Sequence, residues 1–246
     1  MKAASMQHVT YRGLIRYRHD RLGETGREWF TVTTTPEGER TVRAICEMDD
    51  LQLLRDVTLT VGPDFAPRDC FNRLSIADRF VGSSWFYFNG VNVECQALVA
   101  GEGRREQHVS LRHRTPVFAC HPLYVDGFHA AAFDHSRDES VQLLEECTNS
   151  SMKLDGSTAP LLGIVRKQLE YVGPEVLTVE AGTFAARHYR IIPLRVEDPE
   201  WTAIPLDFWV HGTECILLRL RWDMIESTYE LASLDAPDSI ARVQAP

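Results

Sequence analysis

Three of the nine histidines, His121, His129 and His135, fall in one stretch from Thr115 to Glu146, together with Asp126 and Asp134. Imidazoles and carboxylates are the side chains best suited to moving protons near neutral pH or to holding a metal. A metal site is the first chemistry to weigh. The histidines are separated by eight and six residues. Helical ligand pairs want i, i+3 or i, i+4, and strand pairs want i, i+2. Neither interval fits, so no metal is expected. Acid/base chemistry is better served by Asp126 and His129. Two local structures compete there. If Asp126-Gly127 is a two-residue hairpin turn, Tyr124 pairs with His129 and His121 lies on the other face. If Asp126 caps a short helix through Ala130 to Ala132, Asp126 and His129 meet at i, i+3 and His129 neighbours Phe133. The alanines favour the helix. In either case an imidazole beside a carboxylate and an aromatic ring is a general-base arrangement. His129 or His121 is the expected base and Asp126 the group that orients it. Tyr124, or an arginine such as Arg219, would stabilise developing negative charge.

A second set of candidates lies on strand-like segments. Trp85 and Tyr87 share one face of an aromatic run, Trp85 to Phe88. His188 and Arg190 share a face of a long strand. Asp207 and Trp209 alternate with apolar residues, as do Arg219 and Arg221. In a barrel, Trp85, Tyr87, His188, Trp209 and Arg219 would line a lumen and bind an apolar or aromatic molecule bearing a hydroxyl, phenolate or carboxylate. Turned the other way, the same residues face solvent. Both faces carry aromatics, so the pattern leaves the direction open.

The elements that must position these groups are mostly strands. Period-2 alternation marks Val9 to Arg18, Trp29 to Thr35, Glu39 to Cys46, Leu51 to Val61, Cys70 to Ala77 and Val81 to Phe88. Asn89-Gly90 between an aromatic run and Val91 to Val99 is the strongest hairpin signal. Glu106 to Arg112 returns the chain. After the histidine-bearing stretch, Val165 to Tyr171, Val176 to Val179, Phe184 to Leu194, Ile204 to Val210, Ile216 to Trp222 and Ile225 to Ala232 resume the pattern, with a turn expected at Gly173-Pro174. Asp138 to Cys147 has helical spacing and is the one clear helix. Asn149 to Pro160 reads as a loop. The expected fold is mainly β: a curved antiparallel sheet or barrel of roughly a dozen strands with one short helix. Residues 1–234 form a single domain with a sub-boundary near 149–160, and 235–246 form a loose tail. The Thr115–Glu146 stretch would cross or plug the curved sheet.

The C-terminal part, from about Glu175, resembles a bacterial all-β domain of unknown function. The resemblance rests on Glu175-Val176-Leu177, the Gly182-Thr183-Phe184 turn, the strand to Leu194, and Leu206-Asp207-Phe208-Trp209 followed by Cys215 to Arg221. It implies a highly curved antiparallel sheet wrapping a helix or a ligand, and brings no catalytic residues. Members of that family are usually exported, whereas the N-terminal residues here show no apolar stretch of signal-peptide length.

Bulk properties narrow the function. The formal net charge of −9 argues against nucleic acid or an anionic membrane as partner. No phosphate loop, dinucleotide fingerprint, serine-hydrolase elbow or His-Glu-x-x-His is present, so no nucleotide cofactor is expected. Six scattered cysteines without a Cys-x-x-Cys pair read as small buried hydrophobes, and the expected compartment is the cytoplasm. The expected activity is a cofactor-free lyase, isomerase or dehydratase step on a small apolar or aromatic molecule. The alternative is a non-catalytic carrier, and a third reading makes the aromatic strand a homo-oligomer interface.

Overall fold

The computed structural model describes residues 7–153, 155–194 and 204–237. Among these, alternating side chains build fifteen strands in one curved sheet. β1 (Val9–His19), β2 (Gly23–Thr34), β3 (Arg40–Met48), β4 (Leu53–Val61), β5 (Pro67–Ile76), β6 (Arg79–Asn89), β7 (Asn92–Val99) and β8 (Gly103–Ser110) run as an antiparallel meander. A two-residue β9 (Phe118–Ala119) lies parallel to β10 (Val141–Asn149). A second meander continues from β10 through β11 (Gly163–Val179), β12 (Gly182–Leu194), β13 (Leu206–His211), β14 (Ile216–Trp222) and β15 (Ser227–Asp235). β1 pairs with β15 and joins the two halves, so β8 and β9 become the sheet's two edges.

The alternation decides which face is inside. On β4, Leu53, Arg55, Val57, Leu59 and Val61 are buried, while Leu54, Asp56, Thr58 and Thr60 face outward. The Asn89-Gly90 hairpin forms as expected, with Asn89 paired to Asn92 and Gly90 supplying a φ of 63°. Gly173-Pro174 does not turn the chain. β11 absorbs it as a register shift between Tyr171 and Gly173, a bulge that lets a proline stay within a strand.

The expected helix over Asp138 to Cys147 is a strand. Gln142 and Leu144 point inward and Val141 and Leu143 outward. Apolar residues at 141, 143 and 144 fit both periods, and pairing with β11 decides between them. The short helix lies elsewhere: α1 (Leu123–Asp126) runs into a 3-10 segment, Gly127–Ala132. The Asp-Gly hairpin therefore does not form. This segment fills the lumen. Tyr124 is fully buried, stacks on Phe30 with ring centroids 4.0 Å apart, and shares a 2.7 Å hydrogen bond with Tyr11 Oη. Burying such a ring contributes roughly 2 kcal/mol or more. Gly127 passes so close to the Cys215 carbonyl that a Cβ would meet it at 2.6 Å.

Side chains join the β8 end of the sheet to β10 and to the segment leading into β11. The Gln107 amide donates to the Leu162 carbonyl at 2.9 Å and accepts from the Leu162 N–H at 2.8 Å. It thus mimics one step of a backbone ladder. The Glu146 carboxylate, on the β10 bulge, accepts from the Arg112 and His113 N–H groups at 2.9 and 3.1 Å. All six cysteines are buried and free. Asp235 ends β15 and bonds Arg12 at 3.0 Å, and the rest of the expected tail from residue 238 lies outside the described residues.

Candidate functional site

Where the lumen-filling segment stops short of the wall, a cavity of about 540 Å³ opens. Met48, Leu206, Leu220, Trp222 and Ile225 give it apolar walls. Arg55, His121 and Asp126 enter it from β4, from the loop before α1 and from α1 itself. Met152, Lys153 and Asp155 come from the loop between β10 and β11.

Glu28 positions α1. Its carboxylate, 0% exposed, accepts from the Leu123 N–H at 2.7 Å, the Tyr124 N–H at 2.9 Å and Tyr17 Oη at 2.9 Å. Pro122 at the N-cap provides no side-chain cap, so a strand residue across the lumen takes over that role. Burial pushes the Glu28 carboxyl up, and the hydrogen bonds it accepts pull it back.

His129 lies beneath the cavity at 1% exposure. Lys167 Nζ donates to its Nε2 at 3.0 Å. An ammonium can only donate, so Nε2 accepts, and Nδ1 carries the proton and donates to the Asp126 carbonyl at 2.9 Å. Burial and the Lys167 charge hold the imidazole well below its ordinary range. Both ring nitrogens are engaged and His129 is not part of the cavity lining, so the geometry does not present it as the base expected from sequence.

Asp126 does not cap the following turn through its side chain. Its carboxylate is 3.9 Å from His129 Nδ1, too far for a hydrogen bond, and lines the cavity instead. Burial raises it to about 7, against the lowering effect of Lys167 and with a further push from Glu28.

His121 sits in the left-handed region at φ 75°, and its buried Nε2 has no hydrogen-bond partner. Burial, reinforced by Arg55, lowers its imidazole to about 3, so it is neutral. Arg55 is 3% exposed. One of its nitrogens, Nη2, donates to the carbonyls of Gly156 at 2.9 Å and Asp155 at 3.5 Å. No carboxylate among the described residues comes within ion-pair distance of it. Gly156, at φ 64°, makes this packing possible: a Cβ there would overlap Arg55 Nη2 and meet His121 Cγ at 2.8 Å.

Of the residues marked from sequence, the structure brings His121 and Asp126 to the cavity and places His129 under it. Tyr124 is held against Tyr11 and Phe30, away from the cavity lining. The strand candidates point outward, and their expected place in a lumen is corrected. Trp85 and Tyr87 stack on each other at 40% and 39% exposure. His188 stacks on Trp209 at 4.2 Å and bonds Asp207 at 2.6 Å, while Trp209 bonds Glu175 and Arg219 pairs with Glu230 at 2.7 Å. Their alternation places them opposite the buried Tyr189, Phe208 and Leu220. His135 is also remote, exposed and bonded to Tyr189 Oη at 2.9 Å. Among the described residues no group of three or more His, Cys, Asp or Glu is placed to hold a metal ion. Glu28, Arg40, Arg55 and Lys167 are buried charges on inward strand faces that the sequence pattern did not mark.

No family model and no curated protein matches the chain. Among solved structures it is similar to a β-barrel-like protein of a domain of unknown function, DUF1849, from Brucella abortus. The TM-score is 0.60 at 13% identity, over 95% of this chain and 100% of that one, which shows a shared fold. Two more distant structures are a candidate lipoprotein from Parabacteroides distasonis and a candidate exported protein with a YmcC-like fold from Bacteroides fragilis. They match with TM-scores of 0.32 and 0.29 at 13% and 9% identity, over 94% and 92% of this chain and 96% and 95% of theirs. All three are bacterial, as the resemblance of the C-terminal part implies. The latter two bear the names of a lipoprotein and an exported protein, with which the cytoplasmic expectation does not agree, and it is withdrawn. It rested on N-terminal composition and unpaired cysteines, neither of which decides a compartment.

Proposed function

We propose that the protein is a non-catalytic carrier of a small, mainly apolar molecule held in the cavity between the lumen segment and strands β13 to β15. The observation that supports this most is the cavity: about 540 Å³, apolar on most sides, with a few polar groups converging from different elements. Binding sites for small molecules have this size and lining. A fluorescent apolar probe should bind the protein at one site and be displaced by medium-chain hydrocarbons and alcohols. Ala119 lines the cavity. Its replacement in Ala119→Phe fills that space and should weaken probe binding by about tenfold or more with the fold retained. Unchanged probe binding in a folded Ala119→Phe protein would remove this cavity from consideration.

A second reading keeps the expected acid/base chemistry and moves it to Asp126. A carboxyl near 7 that lines a largely apolar cavity is suited to exchanging a proton with a bound molecule. Under that reading a ligand found by displacement is converted by the wild type, and Asp126→Asn binds it without turning it over. Under the carrier reading the ligand is recovered unchanged from both proteins.

A further inference from the structure

Among the described residues, the buried Arg55 guanidinium has no carboxylate within ion-pair distance. Arg55 lies on the buried face of β4 between Leu53 and Val57, at 3% exposure. A buried charge costs several kcal/mol unless a charge or several hydrogen bonds compensate it. Here the compensation is partial. Nη2 reaches two loop carbonyls, which leaves the rest of a five-donor fork without a bonded partner. Of the two carboxylates that line the cavity, Asp155 is engaged elsewhere and Asp126 is held partly protonated near neutral pH. Asp155 accepts from the Ser157 N–H at 2.8 Å and pairs with Lys153 at 3.4 Å, and burial raises Asp126 to about 7. Glu28 is occupied by the first turn of α1 and by Tyr17.

Beside Arg55, the buried Nε2 of His121 also lacks a partner, and the missing Cβ at Gly156 leaves room for both side chains at the cavity they line. A neutral imidazole can present its proton at Nε2 and so donate beside the guanidinium. Two donors, one of them charged, therefore line the same cavity as the apolar Leu206, Leu220, Trp222 and Ile225.

We infer that the molecule carried is an amphiphile with an anionic head, a carboxylate or a phosphate, which accepts hydrogen bonds from Arg55 and His121 while its hydrocarbon part lies along β13, β14 and Ile225. The inference rests on the carrier reading above and adds the chemistry of the head group. The formal charge of −9 favours cations at the protein's surface, so preference for an anion would have to come from this local arrangement.

The test is calorimetric titration with four probes that share one chain: dodecanoate, dodecyl phosphate, dodecan-1-ol and dodecylamine. The wild type should bind at least one of the two anions about tenfold more tightly than the alcohol, and the amine no better than the alcohol. The ranking of dodecanoate against dodecyl phosphate tells carboxylate from phosphate. Arg55→Gln should bring the anion down to the affinity of the alcohol, with the alcohol losing much less than the anion. Should Arg55→Gln fail to fold, His121→Asn, which keeps a residue tolerant of the left-handed backbone, should lower anion affinity by about threefold or more, with a smaller loss for the alcohol. An alcohol or amine that binds as tightly as the anions overturns the head-group inference and leaves the carrier reading standing. So does a folded Arg55→Gln protein that keeps the preference. If none of the four binds, both fall.

Discussion

Asp126 makes stability depend on pH close to neutrality. Its carboxyl is raised to about 7 by burial, so the folded protein keeps this proton over a range in which the unfolded chain has released it. The contribution is full below the ordinary aspartate range and is lost as the pH rises from about 4 through about 7. Asp126→Asn stays neutral at every pH. Relative to the wild type it should therefore gain stability as the pH rises, by at most ~4 kcal/mol at 1.36 kcal/mol per unit of raised pKa. Urea unfolding of both proteins at about pH 4 and about pH 8 measures this, and a difference independent of pH would refute it. His121 and His129 act in the opposite sense. Both are held below the ordinary histidine range, so their contribution is present above about 6.5 and is lost as the pH falls below it. The two trends act together in the wild type, and the Asn variant separates them.

At the scale of the element, α1 is too short to hold its own shape and depends on a strand for its start. Glu28→Ala leaves the Leu123 and Tyr124 N–H groups and Tyr17 Oη buried without an acceptor. Unsatisfied buried donors cost about 1–3 kcal/mol each, so the variant should lose roughly 3 kcal/mol or more, and Glu28→Gln, which keeps the shape, should lose less. Denaturant titration measures both, and equal losses would show that α1 does not rely on this carboxylate. The same elements explain what could be read from the sequence. Strands with clean alternation and a glycine turn, such as β6 and β7, form where expected because burial of one face and turn chemistry agree. β10 was not legible: its apolar spacing suits helix and strand alike, and the partner that decides is β11, more than a dozen residues further on. The site was half legible. His121 and Asp126 stood out by residue type. Arg55, Lys167 and Glu28 each interrupt an apolar inward row: Leu53-Arg55-Val57, Val165-Lys167-Leu169 and Glu28-Phe30-Val32. A lone charge two residues from apolar neighbours on both sides was the available signal for Arg55 and Lys167. The outward placement of His188, Trp209 and Arg219 needed the curvature of the whole sheet, which no local pattern carries.

At the scale of the molecule, the strands of the described residues pair in one continuous order from β8 to β9, and a seam bridged by side chains lies between β8 and the segment leading into β11. The Gln107 side chain bridges that seam by satisfying both polar groups of Leu162, and Glu146 bridges it again at Arg112 and His113. Gln107→Ala should speed hydrogen exchange at the Leu162 amide markedly while amides in β13 and β14 keep their protection, and exchange mass spectrometry reads both. Faster exchange throughout the sheet would mean that the glutamine supports the whole fold. The pairing of β1 with β15 has a different kind of consequence, one for how the chain reaches its fold. Arg12 and Asp235 bond across 223 positions of sequence, whereas the seam joins segments much nearer along the chain. Loop-closure entropy grows with the logarithm of that span, by about 0.6 kcal/mol per doubling. Each meander can zip through successive hairpins at small entropic cost. The largest single closure in the molecule falls on the β1–β15 ladder, which places the slowest search of folding at the centre of the finished sheet and leaves its open edges among the quickly formed parts.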